Sequence, residues 1–423
     1  MKKQQLAIAF LLMAGAATAQ RGPVTFAGRG LIALSDADLT PSALIDNNLF
    51  RERNTRDYLT TIPLPLTRAA LTTTLVPNSM LVSDKGMGLT ANGKIAFVLE
   101  GRGSLGDSIP ALKAGMADFA PSSTMWIVDM TGPKPSVKKL TGGTNPTAIA
   151  MNPTGNNLIL ATGDVDKELK LIEYGANGLP SRILTSKSPA PGQQITDLTF
   201  HPGGQFVAYT VAGTQEIGLM KYAIDAASKK PYLLPHGKPV KVGAMPGSGK
   251  FTADGAFYVV ADAKKAIGAS GTGAGEVFVV QFSTEDTPGE HKIASQAATG
   301  EGPEAVAISP DGSTVAVINA GQSYQPFGNA AAGKSSISLF SLKEGKLTLA
   351  AETQLEGVYP QAIEFDKNGD ALAIGVTEYL DFGNNRNGGI EFYTVTKGDK
   401  PALTKQPGRI NVARGVHALK LIP

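Results

Sequence analysis

The sequence contains no cysteine among its 423 residues. The chain can therefore form no disulfide and bind no metal through thiolates, and thiol catalysis is excluded. Aromatic residues make up only 6% of the chain, with one Trp, and there are four His. The formal net charge is +3 without any conspicuous basic run, so the composition gives no support to nucleic-acid binding. A chain built this way must be stabilised by its apolar core.

Several catalytic motifs are also missing. The sequence has no G-x-S-x-G nucleophile turn, no H-E-x-x-H and no other metal-spaced histidine pair. Gly328–Ser335 does match the phosphate-loop pattern G-x-x-x-x-G-K-S. That pattern binds phosphate only when a helix follows it, whereas the alternation of Ile337–Leu342 predicts a strand. We therefore expect no nucleotide binding.

The N-terminus resembles a secretory signal. Lys2 and Lys3 precede an apolar run from Leu6 to Met13, and small residues end at Ala19. The run is too short for a membrane span, which needs about 20 apolar residues. The sequence thus predicts a signal peptide over residues 1–19 and an exported protein, periplasmic or at the cell surface, with a single domain over 20–423.

A hairpin repeats six times along the chain, and Ala305–Asn319 is its clearest copy: an apolar strand, a turn at Asp311-Gly312 and a second apolar strand. The turn glycines are spaced 62, 49, 51, 57 and 57 residues apart. A period of this size is typical of a propeller or solenoid, and two strands joined by a tight turn favour a propeller blade. The six glycines are Gly93, Gly155, Gly204, Gly255, Gly312 and Gly369.

Each repeat continues into a third, alternating strand such as Ile337–Leu342 and a more polar fourth strand such as Lys346–Gln354. At the C-terminus, residues 415–423 match only the opening of a repeat. The stretch 28–76 contains three strand-like segments without an inner strand. The two ends should share one blade, which closes the ring and hides its open edges. We predict an all-β, seven-bladed β-propeller with four antiparallel strands per blade.

The repeat series, above all Gly302–Gly312, resembles the bacterial YVTN/lactonase-like seven-bladed propellers over essentially all of residues 28–423. That superfamily includes lactonases, quinoprotein subunits, surface proteins and binding scaffolds. Phe200–Gly204 is similar to the F-H-P-N-G turn of its 6-phosphogluconolactonase-like lactonases. Those enzymes carry Pro-Arg-His before the turn and Asn-Glu after the second strand. Here the matching positions are Ile195–Asp197 and Val211-Ala212, so every one departs from the pattern.

One face of the disc should carry the functional residues. The starts of the inner strands and the long loops 36–56, 101–123, 262–274, 320–335 and 377–388 all fall on that face, and long loops of this kind often have functional roles. Nine polar residues are predicted to surround the channel mouth there: Lys85, Glu100, Arg102, Glu304, Tyr324, Gln361, Glu378, Arg386 and His417. Glu304 could bind a cation or act as a base. A solvated or hydrogen-bonded glutamate is the alternative, and a packed or hydrogen-bonded histidine is the alternative for His417.

A calcium site is a further candidate in the last of these loops. Asp381, Asn384 and Asn387 offer the oxygen ligands that calcium prefers, although their spacing does not fit a helix-flanked calcium loop.

Two functional hypotheses remain open. The first is an exported, non-enzymatic propeller that binds a small molecule or a cell-envelope protein on its long-loop face. The second is a lactonase-like or esterase-like hydrolase with a metal or a Glu304/His417 pair at the channel mouth. The absent lactonase residues favour the first.

Overall fold

The computed structural model describes residues 24–50, 55–66, 71–268, 273–380 and 387–422. In this part of the chain, 28 strands form seven four-stranded antiparallel sheets. The predicted seven-bladed propeller is confirmed, including the blade shared between the termini. No helix in the described ranges combines the length and the apolar character needed to cross a bilayer.

The blades are numbered from the shared one. Blade 1 contains β1 (Gly30–Ser35), β2 (Tyr58–Pro63), β3 (Thr72–Leu75) and β28 (Val416–Ile422). Blade 2 contains β4 (Met87–Leu89), β5 (Ile95–Leu99), β6 (Thr124–Asp129) and β7 (Ser136–Thr141). Blade 3 contains β8 (Ala148–Met151), β9 (Asn157–Ala161), β10 (Leu169–Tyr174) and β11 (Pro180–Ser186). Blade 4 contains β12 (Asp197–Phe200), β13 (Phe206–Val211), β14 (Glu216–Ile224) and β15 (Pro231–Lys241).

The other three blades follow in chain order. Blade 5 contains β16 (Pro246–Phe251), β17 (Tyr258–Asp262), β18 (Ala274–Gln281) and β19 (Lys292–Glu301). Blade 6 contains β20 (Pro303–Ile308), β21 (Thr314–Asn319), β22 (Ser336–Lys343) and β23 (Lys346–Gln354). Blade 7 contains β24 (Val358–Phe365), β25 (Ala371–Glu378), β26 (Gly388–Thr396) and β27 (Ala402–Val412). A short helix α1 (Ala43–Asp46) and 3₁₀ helices Met80–Gly86, Gly115–Asp118 and Ala212–Thr214 complete the described structure.

The repeated turn is held by its own side chains. In blade 6, the Asp311 carboxylate accepts hydrogen bonds from the Ser309 hydroxyl (2.6 Å) and the Ser313 amide (3.1 Å). Gly312 has a φ of 74°, a left-handed conformation that glycine adopts without steric cost. The glycine therefore marks the turn in the sequence because the backbone requires it there.

In the shared blade, β28 is the inner strand. Leu31 of β1 pairs with Leu421 on one side and with Ile62 on the other. The apolar core continues between neighbouring blades, because both faces of each inner sheet pack on another sheet. Leu339 of blade 6 and Leu372 of blade 7, for example, belong to one buried cluster. Closure of the ring thus takes the place of covalent links in this cysteine-free chain.

Long connections cover one end of the channel. Helix α1 and the loop that ends at Phe119 pack with the 3₁₀ helix Met80–Gly86 and the loop carrying Tyr324 into one apolar cluster. Met116, Ile267 and Tyr324 of this cluster also line the cavity described next.

Candidate functional site

Bulges at the starts of three inner strands mark the functional face. The register shifts by one residue at Glu304 in β20, at Gln361 in β24 and at His417 in β28. A bulge leaves its extra residue out of the ladder and re-aims the side chain. The sequence analysis placed these three residues at the starts of their inner strands, and the bulges were not predicted.

A cavity of about 650 Å³ lies beside the channel axis on this face. Such a volume is within the usual range for small-molecule sites, and its walls mix apolar and polar groups. Of the nine predicted residues, Arg102, Glu304 and Tyr324 line it. Other lining residues are Leu81, Val82, Met116, Thr147, Thr196, Ala212, Ser248, Lys264, Lys265, Ile267, Glu301 and Gln322.

Glu304 is the titratable group of this cavity with a strongly shifted pKa. Its side chain is partly exposed to the cavity, and the Tyr359 hydroxyl donates to Oε2 over 3.3 Å. Burial raises the pKa of Glu304 to about 7, and the hydrogen bonds from Tyr359 and Gln361 lower it only in part. A carboxyl group with this pKa can both accept and donate a proton near neutral pH.

Cationic side chains also line the cavity. Arg102 donates through Nη1 to the Phe119 carbonyl at 3.2 Å, and Lys264 forms an ion pair with Glu276 at 3.3 Å. Lys265 is a third cation on the wall. Glu301, the second carboxylate, accepts a hydrogen bond from Gln322 at 2.8 Å. With Glu304 protonated, positive groups outnumber negative ones around the cavity, which suits a ligand that carries or develops negative charge.

Lys85 is buried and spans the channel instead of lining the cavity. Its ammonium group contacts Asp197 Oδ1 at 3.1 Å and donates to Thr199 Oγ1 and the Gly249 carbonyl, both at 2.9 Å. These partners belong to blades 4 and 5, whereas Lys85 precedes the inner strand of blade 2. All three ammonium protons have acceptors, and the side chain links the start of blade 2 to the inner strands of blades 4 and 5.

The other described residues predicted to surround the channel mouth do not line the cavity. Gln361 is buried, and its Nε2 donates to the Met80 carbonyl at 3.5 Å. His417 is fully buried with Nε2 2.7 Å from Asn78 Oδ1. Glu378 is buried at the end of β25, and Glu100 lies partly buried just after β5. Of His417 and Glu304, only Glu304 belongs to the cavity wall found among the described residues.

The predicted calcium loop is only partly described. Asp381, Asn384 and Arg386 lie outside the described residues. Asn387 is partly buried, and its carbonyl accepts the Tyr379 amide at 3.0 Å. Calcium binding there stays a prediction.

Sequence reasoning missed a group of three carboxylates in blade 1. Oxygens of Asp36, Asp38 and Asp57 lie within 4.8 Å of one another, and all three side chains are buried. Asp36 accepts the Met80 amide at 2.9 Å, and Asp57 accepts the Ala37 amide at 3.0 Å. Burial, followed by repulsion from the other two carboxylates, raises the pKa of Asp36 well above its usual range. The amide hydrogen bonds offset part of the repulsion among these carboxylates.

Charged residues of the inner strands were also missed. Lys250 of β16 pairs with Glu364 of β24 at 3.2 Å, and Lys420 of β28 lies near both. The Asp84 carboxylate accepts a hydrogen bond from Ser248 at 2.8 Å. The partners lie far apart in the sequence, so no local pattern predicts these contacts.

Two positions that flank the lactonase-like turn line the cavity, but both differ from the pattern. Thr196 and Ala212, which stand where the resemblance expects Arg and Glu, line the cavity. Asp197, at the expected His position, binds Lys85. His201 caps its own turn, with Nδ1 accepting the Gly203 amide at 3.0 Å.

Comparisons with known proteins agree with the fold. Residues 134–378 match the family model described as lactonase, 7-bladed beta-propeller. No curated protein sequence matches the chain significantly.

Among solved structures, the Pseudomonas aeruginosa periplasmic gluconolactonase is 13% identical, with a TM-score of 0.57 over 93% of this chain and 99% of that one. A provisionally assigned 6-phosphogluconolactonase from Bacteroides fragilis is 16% identical, with a TM-score of 0.57 over 93% and 98%. Another from Bacteroides uniformis is 13% identical, with a TM-score of 0.58 over 93% and 99%. At these identities the likeness shows the shared fold.

Proposed function

Because the chain belongs to the seven-bladed β-propeller lactonase family, we propose that it hydrolyses a lactone in the cavity beside Glu304. The observation that carries this proposal is a carboxyl group with a pKa of about 7 on the wall of a small-molecule cavity. Perturbed carboxyl groups in such cavities are candidates for acid–base roles. The names of the similar structures, two provisionally assigned 6-phosphogluconolactonases and a gluconolactonase, are consistent with a lactone substrate.

In the proposed reaction, ionised Glu304 removes a proton from water as the water oxygen attacks the lactone carbonyl. The developing oxyanion is stabilised by cations of the same wall, Arg102, Lys264 and Lys265. When the ring C–O bond breaks, protonated Glu304 returns the proton to the leaving oxygen. The product is a hydroxy acid, whose carboxylate suits the positive wall.

A binding scaffold without catalysis is the second candidate. Thr196 and Ala212 support it, because they place no ionisable group where the related lactonases carry Arg and Glu. In that case the cavity would bind a polar ligand and leave it unchanged.

The test compares wild type, Glu304→Gln and Glu301→Gln on a panel of sugar and aliphatic lactones, with acid release followed at constant pH. Glu301 is the matched control because it is a carboxylate of the same cavity. We expect Glu304→Gln to lower kcat by about 10²–10⁴, the usual contribution of a general base. The kcat of Glu301→Gln should stay within a few-fold of the wild-type value.

Calorimetry with lactams, which resist hydrolysis, separates the two candidates. Lactam binding without turnover of any lactone would favour the scaffold, and equal activity of Glu304→Gln and wild type would refute the role of Glu304.

We also propose that the protein is exported. The proposal rests on the signal-like residues 1–19, which lie outside the described residues. Mass spectrometry of the mature N-terminus would test it, and a chain that still begins at Met1 after expression in a secreting host would refute it.

A further inference from the structure

Tyr359 has an unusual backbone conformation for its residue type. It lies in β24 with a φ of 50°, whereas strand residues have strongly negative φ. A positive φ is disfavoured for a bulky side chain and persists only where the surroundings fix it, often at functional sites. The conformation therefore calls for a functional explanation, provided that the residue is firmly held.

Hydroxyl groups on both sides hold the Tyr359 backbone. Its amide donates to Ser323 Oγ at 2.9 Å, and Thr377 Oγ1 donates to its carbonyl at 2.5 Å. Ser335 Oγ donates to Ser323 Oγ at 2.7 Å, so Ser323 is itself fixed. Ser335 is the last residue of the phosphate-loop pattern, and it is fully buried. In this fold that serine belongs to the support of Tyr359.

This support directs the phenol towards the neighbouring blade. Tyr359 is only 3% exposed, and its hydroxyl donates to Glu304 Oε2 at 3.3 Å. The Tyr324 ring meets the Tyr359 ring edge-on, with centroids 5.8 Å apart. Tyr359 thus lies behind Glu304, which separates it from the cavity.

We propose that Tyr359 is the positioning residue of Glu304: its strained backbone aims the phenol at Oε2 of that carboxyl group. This inference rests on the proposed function of Glu304 as the base. The same hydrogen bond stabilises the ionised form, so Tyr359 keeps the carboxylate available near neutral pH, against the effect of burial.

Other groups face Glu304 and must be considered in any pH dependence. From blade 7, Gln361 also hydrogen-bonds to it and lowers its pKa. The phenol of Tyr324 comes from the loop after β21, and Glu301 precedes β20. Lys264, Lys265 and Arg102 line the same cavity. Variants of Tyr359 leave all of these unchanged.

The test measures the pKa of Glu304 by ¹³C NMR titration of the side-chain carboxyl, with the resonance assigned by its loss in Glu304→Gln. In Tyr359→Phe, which removes only the hydroxyl, we expect the pKa to rise by about 1. Tyr324→Phe is the control and should leave the pKa unchanged. If Tyr359→Phe does not fold, Ser323→Ala, which releases the Tyr359 amide, should raise the pKa in the same direction.

The pH profile of lactone hydrolysis gives a second readout. In Tyr359→Phe, the acidic limb of the plot of kcat against pH should move to higher pH by the same amount as the pKa. Replacement of a merely structural residue would lower kcat but leave the position of that limb unchanged. An unchanged Glu304 pKa in folded Tyr359→Phe, or an equal rise in Tyr324→Phe, would overturn the inference. The titration needs no substrate. If the wild-type protein has no lactonase activity, the proposed function is refuted, but the effect of Tyr359 on the pKa of Glu304 can still be measured.

Discussion

The buried ion pair between Lys85 and Asp197 allows a sharp stability prediction. Lys85 is 6% exposed and Asp197 is 1% exposed, so neither charge is solvated. The change Lys85→Met keeps an unbranched side chain of nearly the same length but removes its charge. Asp197 then loses its ion-pair partner and retains hydrogen bonds from the Tyr258 hydroxyl (2.8 Å) and the Gly249 amide (2.7 Å).

The expected loss of stability follows from the cost of an uncompensated buried charge. Removing one partner of a buried ion pair destabilises a protein by about 3–5 kcal/mol. We expect a loss at the lower end of this range, because Asp197 keeps two strong hydrogen-bond donors. Unfolding entropies near 2.1 cal/mol/K per residue give about 0.9 kcal/mol/K for 423 residues. The melting temperature should therefore fall by about 3–4 °C.

Differential scanning calorimetry at pH 7 measures this change, and Lys187→Met is the matched control. Lys187 pairs with Asp166 at 3.2 Å, but the two side chains are 73% and 68% exposed. Exposed pairs contribute about 0–1 kcal/mol, so the control should shift by about 1 °C or less. The double variant Lys85→Met/Asp197→Asn should be more stable than Lys85→Met, because the orphaned charge is gone. Equal shifts for Lys85→Met and Lys187→Met would refute the reasoning.

Two further predictions concern closure of the ring and acid stability. Deletion of residues 415–423 removes the inner strand of blade 1 and opens the ring, so cooperative melting should be lost; a midpoint close to that of the full chain would contradict this. His236 is 4% exposed, and burial, with repulsion from His291, lowers its pKa. The unfolded chain therefore binds the proton more tightly, and stability should fall as pH drops below about 6.5. His236→Gln should flatten this dependence in urea titrations, and an unchanged slope would count against it.

Local patterns predicted the fold well because each blade is built from short-range signals. Period-two alternation and the turn residues identified Lys346–Gln354 as a strand with the bounds that β23 has in the structure. The incomplete repeat at 415–423 became β28, Val416–Ile422. Both depend on neighbouring residues, which the sequence shows directly.

The site was harder to predict because its contacts join distant parts of the chain. Alignment of the repeated turns placed Glu304 at the start of its inner strand, where it lines the cavity. It also led to the expectation that Lys85 and His417 belong to the same site, whereas Lys85 reaches Thr199, 114 residues away, and His417 binds Asn78. Tyr359 had no signal at all, because its positive φ comes from hydroxyls in other segments.

The pKa of Glu304 also distinguishes a catalytic role of this carboxyl group from a purely structural one. In the fold its pKa is about 7, against 4.5 for the ordinary group. Because the folded state holds the proton more tightly, stability is lost as pH rises from about 4.5 through 7, by at most about 3 kcal/mol. Glu304→Gln should therefore melt higher than wild type at pH 8 and about equally at pH 4, while it loses hydrolysis. A carboxylate retained for the fold alone would give the opposite sign, since its replacement would lower stability at pH 8. Gain of stability together with loss of activity is the combination that a base in a desolvated cavity must show.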